Sequence, residues 1–339
     1  MITPAFGLTA TERVLPKLAL DFTTAALDAR VTVTRTTNAT NPATYINSSG
    51  VITAATNNQP RFDYDPVTLL CKGLLIEESR ANLLLNTDLL ATQIVTVTAA
   101  ARILSFYGTG GVTLSGAHIA VVSGTGAYPT RTTYSFTPSA GALTLTVTGT
   151  VQFAQLELGA FATSYIPTTT TSLTRNADAV SMTGTNFSSW YNQSEGAFVF
   201  DFGPFNMSGV MAGQTPYDTA IGAVTNGVRA GRTFSAVNLN GWSSNTRLGT
   251  PGTSGTISGS SALAPVTGPA PLQKLAIFQS STALGGVVNG GTVTSVTVTV
   301  APTGAPDMFY INERLNGYIR QIRYYNIRLT NAEVQAFSK

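Results

Sequence analysis

Short runs in which apolar and polar residues alternate recur along the whole chain, and a period of two marks a half-buried strand. Val31 to Arg35, VTVTR, is the first clear example. ATYINSSGVITAA then reads as strand, turn and strand, with Asn47, Ser48, Ser49 and Gly50 as the turn. In GLLIEESRANLL, Leu75, Glu77 and Ser79 alternate with Ile76, Glu78 and Arg80, so one glutamate points to each face of a strand. IVTVT, GVTLSG, RTTYSFTP and LTLTVTGTVQFAQLEL follow at intervals of about 10–20 residues, separated by Gly, Ser and Pro. In the last of these Leu143, Leu145 and Val147 share one face, and Thr144, Thr146 and Thr148 the other. GAFVFDFG and TVTSVTVTV are further strands. The C-terminal NGYIRQIRYYNIRLTNAEVQAFSK predicts a strand and then the chain's single clear helix, where Thr330 and Glu333 match a capping box.

The pattern predicts an all-β protein, and charge divides it. Residues 1–80 hold 14 of the 35 charged groups, while 81–160 hold four, Asp88, Arg102, Arg131 and Glu157. Four segments follow: a small N-terminal β unit over 1–83, a small β-sandwich over 84–163, an extended connector over 164–180 and a C-terminal sandwich over 181–339. Pro167 and four consecutive threonines make the connector read as a strap lying along a surface. Residues 249–271 carry no charge and are dense in Gly, Ser and Pro, which predicts a large loop or weak edge strands.

Composition narrows the function classes. Apolar residues make up 43% of the chain, which excludes a disordered protein. Charged residues are only 10%, and Thr, Ser, Gly and Ala fill the gap. The net charge of +3 is spread without a basic run. Arg320, Arg323 and Arg328 are the densest group and read as the outer face of a strand, so no nucleic-acid partner is expected. Cys71 is the single cysteine and His118 the single histidine, so the chain has neither an intramolecular disulfide nor the ligands for a Cys/His zinc site. Cys71 lies in an apolar run and reads as a small buried hydrophobe. The N-terminus lacks the pattern of a secretory signal, and no apolar segment reaches the roughly 18 residues of a membrane span. Synthesis in the cytoplasm without membrane insertion is the expectation.

RFDYDP, Arg61 to Pro66, is the densest charged motif. On a strand Asp63 and Asp65 share a face, roughly 6–7 Å apart. That fits the carboxyl pair of a glycoside hydrolase, about 5–9.5 Å. It also fits an ion site or a structural clamp. Pro60 and Pro66 fix the backbone at both ends, and Arg61 and Arg80 can neutralise the acids. The clamp is the favoured reading, made of Arg61, Asp63, Asp65, Glu77, Glu78 and Arg80. His118 lies in a short apolar strand and reads as structural rather than as part of a triad. No phosphate-cradling loop is present.

At this point the residues resemble a known family. The stretch from Ala19 to Ile46, then NNQPRFDYDPVTLLCKGLLIEESRANLLLN, FYGTGGVTLSG, GTGAYPTRTTYSFTPSAGALTLTVTG and QLELGAFATSYIPTTTTSLTRNAD, resembles phage head spike and tail fibre proteins. FSSWYNQSEGAFVFDF and GYIRQIRYYNIRLTNAEVQAF look like the first and last elements of a concanavalin A-like (laminin G-like) jelly roll. The resemblance implies a non-enzymatic virion subunit, a fibre, spike or decoration protein, made in the host cytoplasm. The N-terminal region would bind other virion proteins, the subunit would form a homotrimer, and the jelly roll would bind a host surface glycan. A purely structural decoration protein and a polysaccharide depolymerase are the alternatives. Jelly-roll glucanases carry a Glu-x-Asp-x-x-Glu strand, and here Glu195 and Asp201 flank GAFVF without a third carboxylate. Calcium is possible in such a fold, but no Asp-x-Asp-x-Asp loop exists and Asp201, Asp218 and Asp307 are scattered. No cofactor is expected. Sugars stack on exposed aromatics and need polar partners in loops. Trp242, in the polar turn NLNGWSSNTR with Asn240, Asn245 and Arg247, is the first candidate and Tyr217 the weaker one. Trp190 and Tyr191 read as scaffold.

Overall fold

The computed structural model describes residues 14–192, 194–204, 219–221, 228–231, 241–247, 254–260, 272–297, 308–311 and 316–339. The chain is all-β. The first strands are β1 (Leu18–Asp21), β2 (Thr32–Thr34), β3 (Thr44–Ile46), β4 (Ile52–Ala54), β5 (Phe62–Tyr64), β6 (Cys71–Ile76) and β7 (Arg80–Asn82). Then come β8 (Gln93–Val97), β9 (Arg102–Gly108), β10 (Gly111–Gly116), β11 (Ala120–Ser123), β12 (Gly126–Phe136), β13 (Gly141–Thr148) and β14 (Gln152–Leu158). β15 (Leu173–Arg175), β16 (Ala179–Thr183), the short helix α1 (Thr185–Ser188) and β17 (Gly196–Pro204) follow. Next are β18 (Thr219–Ile221), β19 (Val228–Gly231), β20 (Gly241–Arg247), β21 (Ser254–Ser260) and β22 (Gln273–Gln279). The chain ends with β23 (Ala283–Val288), β24 (Thr294–Thr297), β25 (Met308–Ile311), β26 (Gly317–Tyr325) and α2 (Asn331–Phe337).

Two large sheets make the main sandwich. One is ordered β24-β23-β22-β17-β26-β6-β5, with β1 also paired to β26, and the other β2-β16-β25-β18-β19-β20-β21. Phe22, Val180, Phe198, Ile277, Phe309 and Ile322 fill the space between them. GAFVFDF is apolar on consecutive positions because β17 is covered on both sides. Phe198, Phe200 and Phe202 enter the central core, and Ala197 and Val199 pack in a second layer with Leu329 and Val334 of the α2 segment. Thr330 and Glu333 form the expected capping box of α2. Trp190 is buried edge-on against Phe187, Phe198 and Tyr324, so it is core.

The first strands correct the expectation of a separate N-terminal unit. β1, β5 and β6 join the same sheet as β17 and β26, and β2 pairs with β16 of the other sheet. Strands of 3–6 residues such as β2, β5 and β6 expose too much edge to stand alone, and pairing with distant strands supplies their hydrogen bonds. Residues 84–158 build a second sandwich, with β11-β10-β13-β8 over β12-β9-β14 around Leu104, Phe106, Val112, Leu143 and Leu156. His118 stacks on Phe136 at 4.6 Å and bonds the Tyr134 hydroxyl at 3.1 Å, which places it in local packing. Cys71 is half-buried at the start of β6, with burial pushing its thiol pKa up.

Candidate functional site

A buried charge is costly unless it is paired and hydrogen-bonded, so a cluster of them has to be treated as one unit. Arg61, just before β5, and Glu77, just after β6, meet at 2.7 Å with no exposed side-chain surface. Asp178, beside β16, takes a second Arg61 nitrogen and one from Arg35, and accepts the Glu77 backbone N–H at 2.9 Å. Arg175 at the end of β15 lies 3.3 Å from Glu77 and donates to Thr163 Oγ1 at 2.9 Å. Ser164 donates its backbone N–H and its hydroxyl to Glu77, each at 2.6 Å. Burial pushes Glu77 upward, but Arg175, Arg61 and the Ser164 bonds outweigh it and hold the carboxyl at about 2. Burial likewise opposes the Arg61 charge, and Asp178 and Glu77 outweigh it, so its pKa is raised.

The connector is gripped from its other side by the small sandwich. Gln155 of β14 donates to the Thr163 carbonyl at 3.2 Å and accepts the Ile166 N–H at 2.7 Å. Glu157 is fully buried and accepts the hydroxyl and N–H of Thr163. Burial raises its pKa despite the counteracting charge of Arg131 and the bonds from Thr163. Asn82 spends all its side-chain capacity here, donating to the Ala154 and Ile166 carbonyls and accepting the Leu84 and Leu156 N–H groups. Thr163 to Thr168 and Arg175 to Asp178 are thus held against the sandwiches, while Thr169 to Ser172 between them run exposed over the surface as expected.

The six clamp residues fall into several groups. Only Arg61 and Glu77 stand in the buried network. Asp63 accepts the Ile46 N–H at 2.6 Å and pairs with Lys72 at 2.7 Å. Asp65 accepts the Val67 and Thr68 N–H groups at 3.0 and 2.7 Å and starts a turn. The two aspartates serve different partners, and β5 ends before Asp65. Glu78 and Arg80 pair with each other at 2.6 Å, so Arg80 does not neutralise RFDYDP. Arg35, Lys72, Ser164, Arg175 and Asp178 are partners that the sequence reading missed. One signal was available: Arg175 and Asp178 are the only charges between Glu157 and Glu195.

Beside this joint lies a cleft of about 630 Å³. One wall is the outer face of the β12-β9-β14 sheet, where Arg131 pairs with Tyr107, Thr133 with Ser105 and Ser135 with Ile103. Tyr45, Ile46, Asp63 and Lys72 form the facing wall, and Phe161 and Tyr318 help to close it. Lys72 donates to the Tyr318 hydroxyl at 2.8 Å, and that hydroxyl donates to Asp63 at 3.0 Å. Thr133 and Ser135 are exposed and offer free-standing hydroxyls to whatever enters. Asp63 is the one carboxylate among the described lining residues. Among the described residues no group of three His, Cys, Asp or Glu stands close enough to hold a metal ion.

Three of the expected glycan residues are absent from the described cleft lining. Trp242, Asn245 and Arg247 fall on strand β20, not in a turn, with Trp242 opposite Gly259 and Arg247 opposite Ser254. Asn240 and Tyr217 lie outside the described residues.

No protein-family model matches the chain, and neither does any curated protein. Similar solved structures include the CBM40 of Ruminococcus gnavus IT-sialidase bound to α2,6-sialyllactose. It has 13% identity and a TM-score of 0.36, over 45% of this chain and 88% of that one. The binding domain of botulinum neurotoxin DC in complex with rat synaptotagmin II has 12% identity and a TM-score of 0.37, over 48% of this chain and 40% of its own. NanB sialidase from Streptococcus pneumoniae has 17% identity and a TM-score of 0.35, over 46% of this chain and 26% of its own.

Proposed function

We propose that the protein is a non-enzymatic adhesion subunit of a phage virion, a homotrimeric fibre, spike or decoration protein that binds a host surface glycan in the cleft between its two sandwiches. The cleft carries the reading. Its volume lies within the 300–1,000 Å³ usual for ligand sites. Its walls mix tyrosines with hydroxyl groups, the surfaces a sugar needs. Hydrolysis of a glycosidic bond needs two carboxyl groups, and the described lining residues include only Asp63, engaged by Ile46, Lys72 and Tyr318. That favours binding over cleavage. The virion assignment rests on the ordered sequence strings that resemble phage fibre proteins.

The test is binding of the purified protein to an array of bacterial surface oligosaccharides, with light scattering on the same sample. A trimer that retains a glycan is the expected result. The double change Thr133→Leu with Ser135→Leu removes two cleft hydroxyls at exposed positions and should weaken binding at least about tenfold. Trp242→Ala should leave it unchanged. The reverse outcome moves the site to the β20 region. A clean monomer defeats the trimer, and released oligosaccharide defeats the non-enzymatic reading.

A further inference from the structure

The charges around the cleft are unevenly paired. The joint and cleft hold six cations, Arg35, Arg61, Lys72, Arg80, Arg131 and Arg175, and six carboxylates, Asp63, Asp65, Glu77, Glu78, Glu157 and Asp178. Lys72 is matched by Asp63, and Arg80 by Glu78. Arg35, Arg61 and Arg175 then share Glu77 and Asp178, three cations on two carboxylates. Glu157 remains as the single buried acid for the surplus of that trio and for Arg131. Glu157 interacts electrostatically with both Arg131 and Arg175, yet makes an ion pair with neither. Among the described residues Arg131 is left without an ion-pair partner.

Arg131 also reaches the cleft. Arg61 and Arg175 are fully buried and Arg35 nearly so, whereas Arg131 is half-buried and lines the cleft wall. Its Nη1 donates to the Thr163 carbonyl at 2.7 Å and its Nη2 to Ser105 Oγ at 2.8 Å. These bonds fix the guanidinium against the sheet. They use two of its five N–H groups; Nε is buried without a partner and out of a ligand's reach, so the second N–H of Nη1 and of Nη2 are the ones left for a ligand. Both acceptors are neutral, and the Tyr107 ring under the guanidinium, 5.9 Å from its centroid, is the other contact, so no carboxylate touches it among the described residues. Across the cleft Lys72, although matched by Asp63, has a third N–H that no hydrogen bond uses. A fixed guanidinium with spare donors fits a carboxylate better than it fits a hydroxyl, because the charged bond is shorter and roughly twice as strong.

We infer that the ligand of this cleft is an acidic oligosaccharide, and that Arg131 reads the carboxylate of one of its sugars. The inference rests on the cleft being the glycan site and adds the class of glycan. The neutral part of such a ligand would lie toward the hydroxyls of Thr133 and Ser135 on the same wall. Sequence alone could not reach this. Arg131 is one of four charges in an otherwise uncharged stretch, and nothing local shows that its counter-ion is missing.

The experiment compares matched ligands on the wild-type protein. Uronate- and sialate-containing bacterial oligosaccharides are titrated beside the same molecules with their carboxyl groups reduced. The acidic member of a pair should bind at least about tenfold tighter, and raising the salt from about 0.05 to about 0.5 M should shrink that margin. Arg131→Gln should abolish the preference between the two members. Arg131→Lys should restore part of it. Equal or tighter binding of the reduced member overturns the acidic class and leaves the cleft as the glycan site. If neither member binds, both readings fall. If Arg131→Gln does not fold, the wild-type comparison decides by itself.

Discussion

Glu77 accepts four hydrogen-bond or ion-pair contacts from Arg61, Arg175 and Ser164 in a place that water does not reach. Removing its charge leaves two guanidinium groups buried with too little compensation, which costs about 3–5 kcal/mol in comparable sites. Glu77→Gln should lower the unfolding free energy by that amount in urea titration, whereas Asp65→Asn, at an exposed turn, should cost under about 1 kcal/mol. The same residue sets an acid response. Its folded pKa of about 2 lies below the ordinary 4.5, so its contribution is complete above pH 4.5 and is lost as pH falls toward 2. Glu77→Gln should flatten the stability profile over that window, and an unchanged slope would show that other carboxylates set it. Glu157 has the opposite sign, because a raised pKa favours the folded state at low pH and loses that contribution as pH rises through it. Arg61 and Glu77 were legible as charges in an apolar setting. Their partner Asp178 was not, because it lies 101 residues from Glu77 in the sequence.

At the scale of elements, period and length predicted strands well where one face is buried and one is wet. β13 shows this, with Leu143 and Leu145 in the core and Thr146 and Thr148 outside. Where a strand is covered on both faces, alternation disappears. β9 is buried at every position, and half of its side chains turn to the joint and cleft instead of the core. The run through GLLIEESRAN is the other case, for β6 stops at Ile76 and β7 starts at Arg80. The break lets Glu77 and Glu78 leave the ladder for their partners. Gly73 explains how β6 can sit between β5 and β26. It has φ +120°, and a Cβ there would lie 2.3 Å from the Ile319 carbonyl oxygen. Gly73→Ala should therefore cost more than about 2 kcal/mol, from strain in the backbone together with a forced separation of β6 from β26. Amide exchange should speed up across β6 and at residues 317–319 of β26. Exchange faster everywhere to the same extent would mean a global loss of stability without that local opening.

Among the described residues the two sandwiches have separate apolar cores that touch through polar groups, and a third cluster under α2 belongs to the larger one. One core spans strands from β1 to β26, and the other is confined to residues 84–156 with its close neighbours. Hydrophobic burial stabilises each sandwich but gives little reason for them to hold one orientation, since that force is not directional. The directional contacts are the buried charges and the amide and hydroxyl bonds around residues 163–178. The connector reads as a surface strap because its local composition is polar and unpatterned, and composition does not report that the ends of a polar segment will be buried by two partners while its middle, Thr169 to Ser172, stays exposed. A cleft at such a joint depends on the orientation being fixed, since its walls belong to different sandwiches. The network should therefore couple the two cores thermally. Scanning calorimetry of the wild-type chain should give one transition, with the calorimetric enthalpy matching the van't Hoff value. Arg175→Ala removes the donor that ties Thr163 to Glu77 and the Glu78 carbonyl, without touching either apolar core. It should split the transition in two and weaken glycan binding, while far-ultraviolet circular dichroism stays that of the folded protein. A single transition moved bodily to lower temperature would show that the cores are coupled by other contacts and that the network only adds stability.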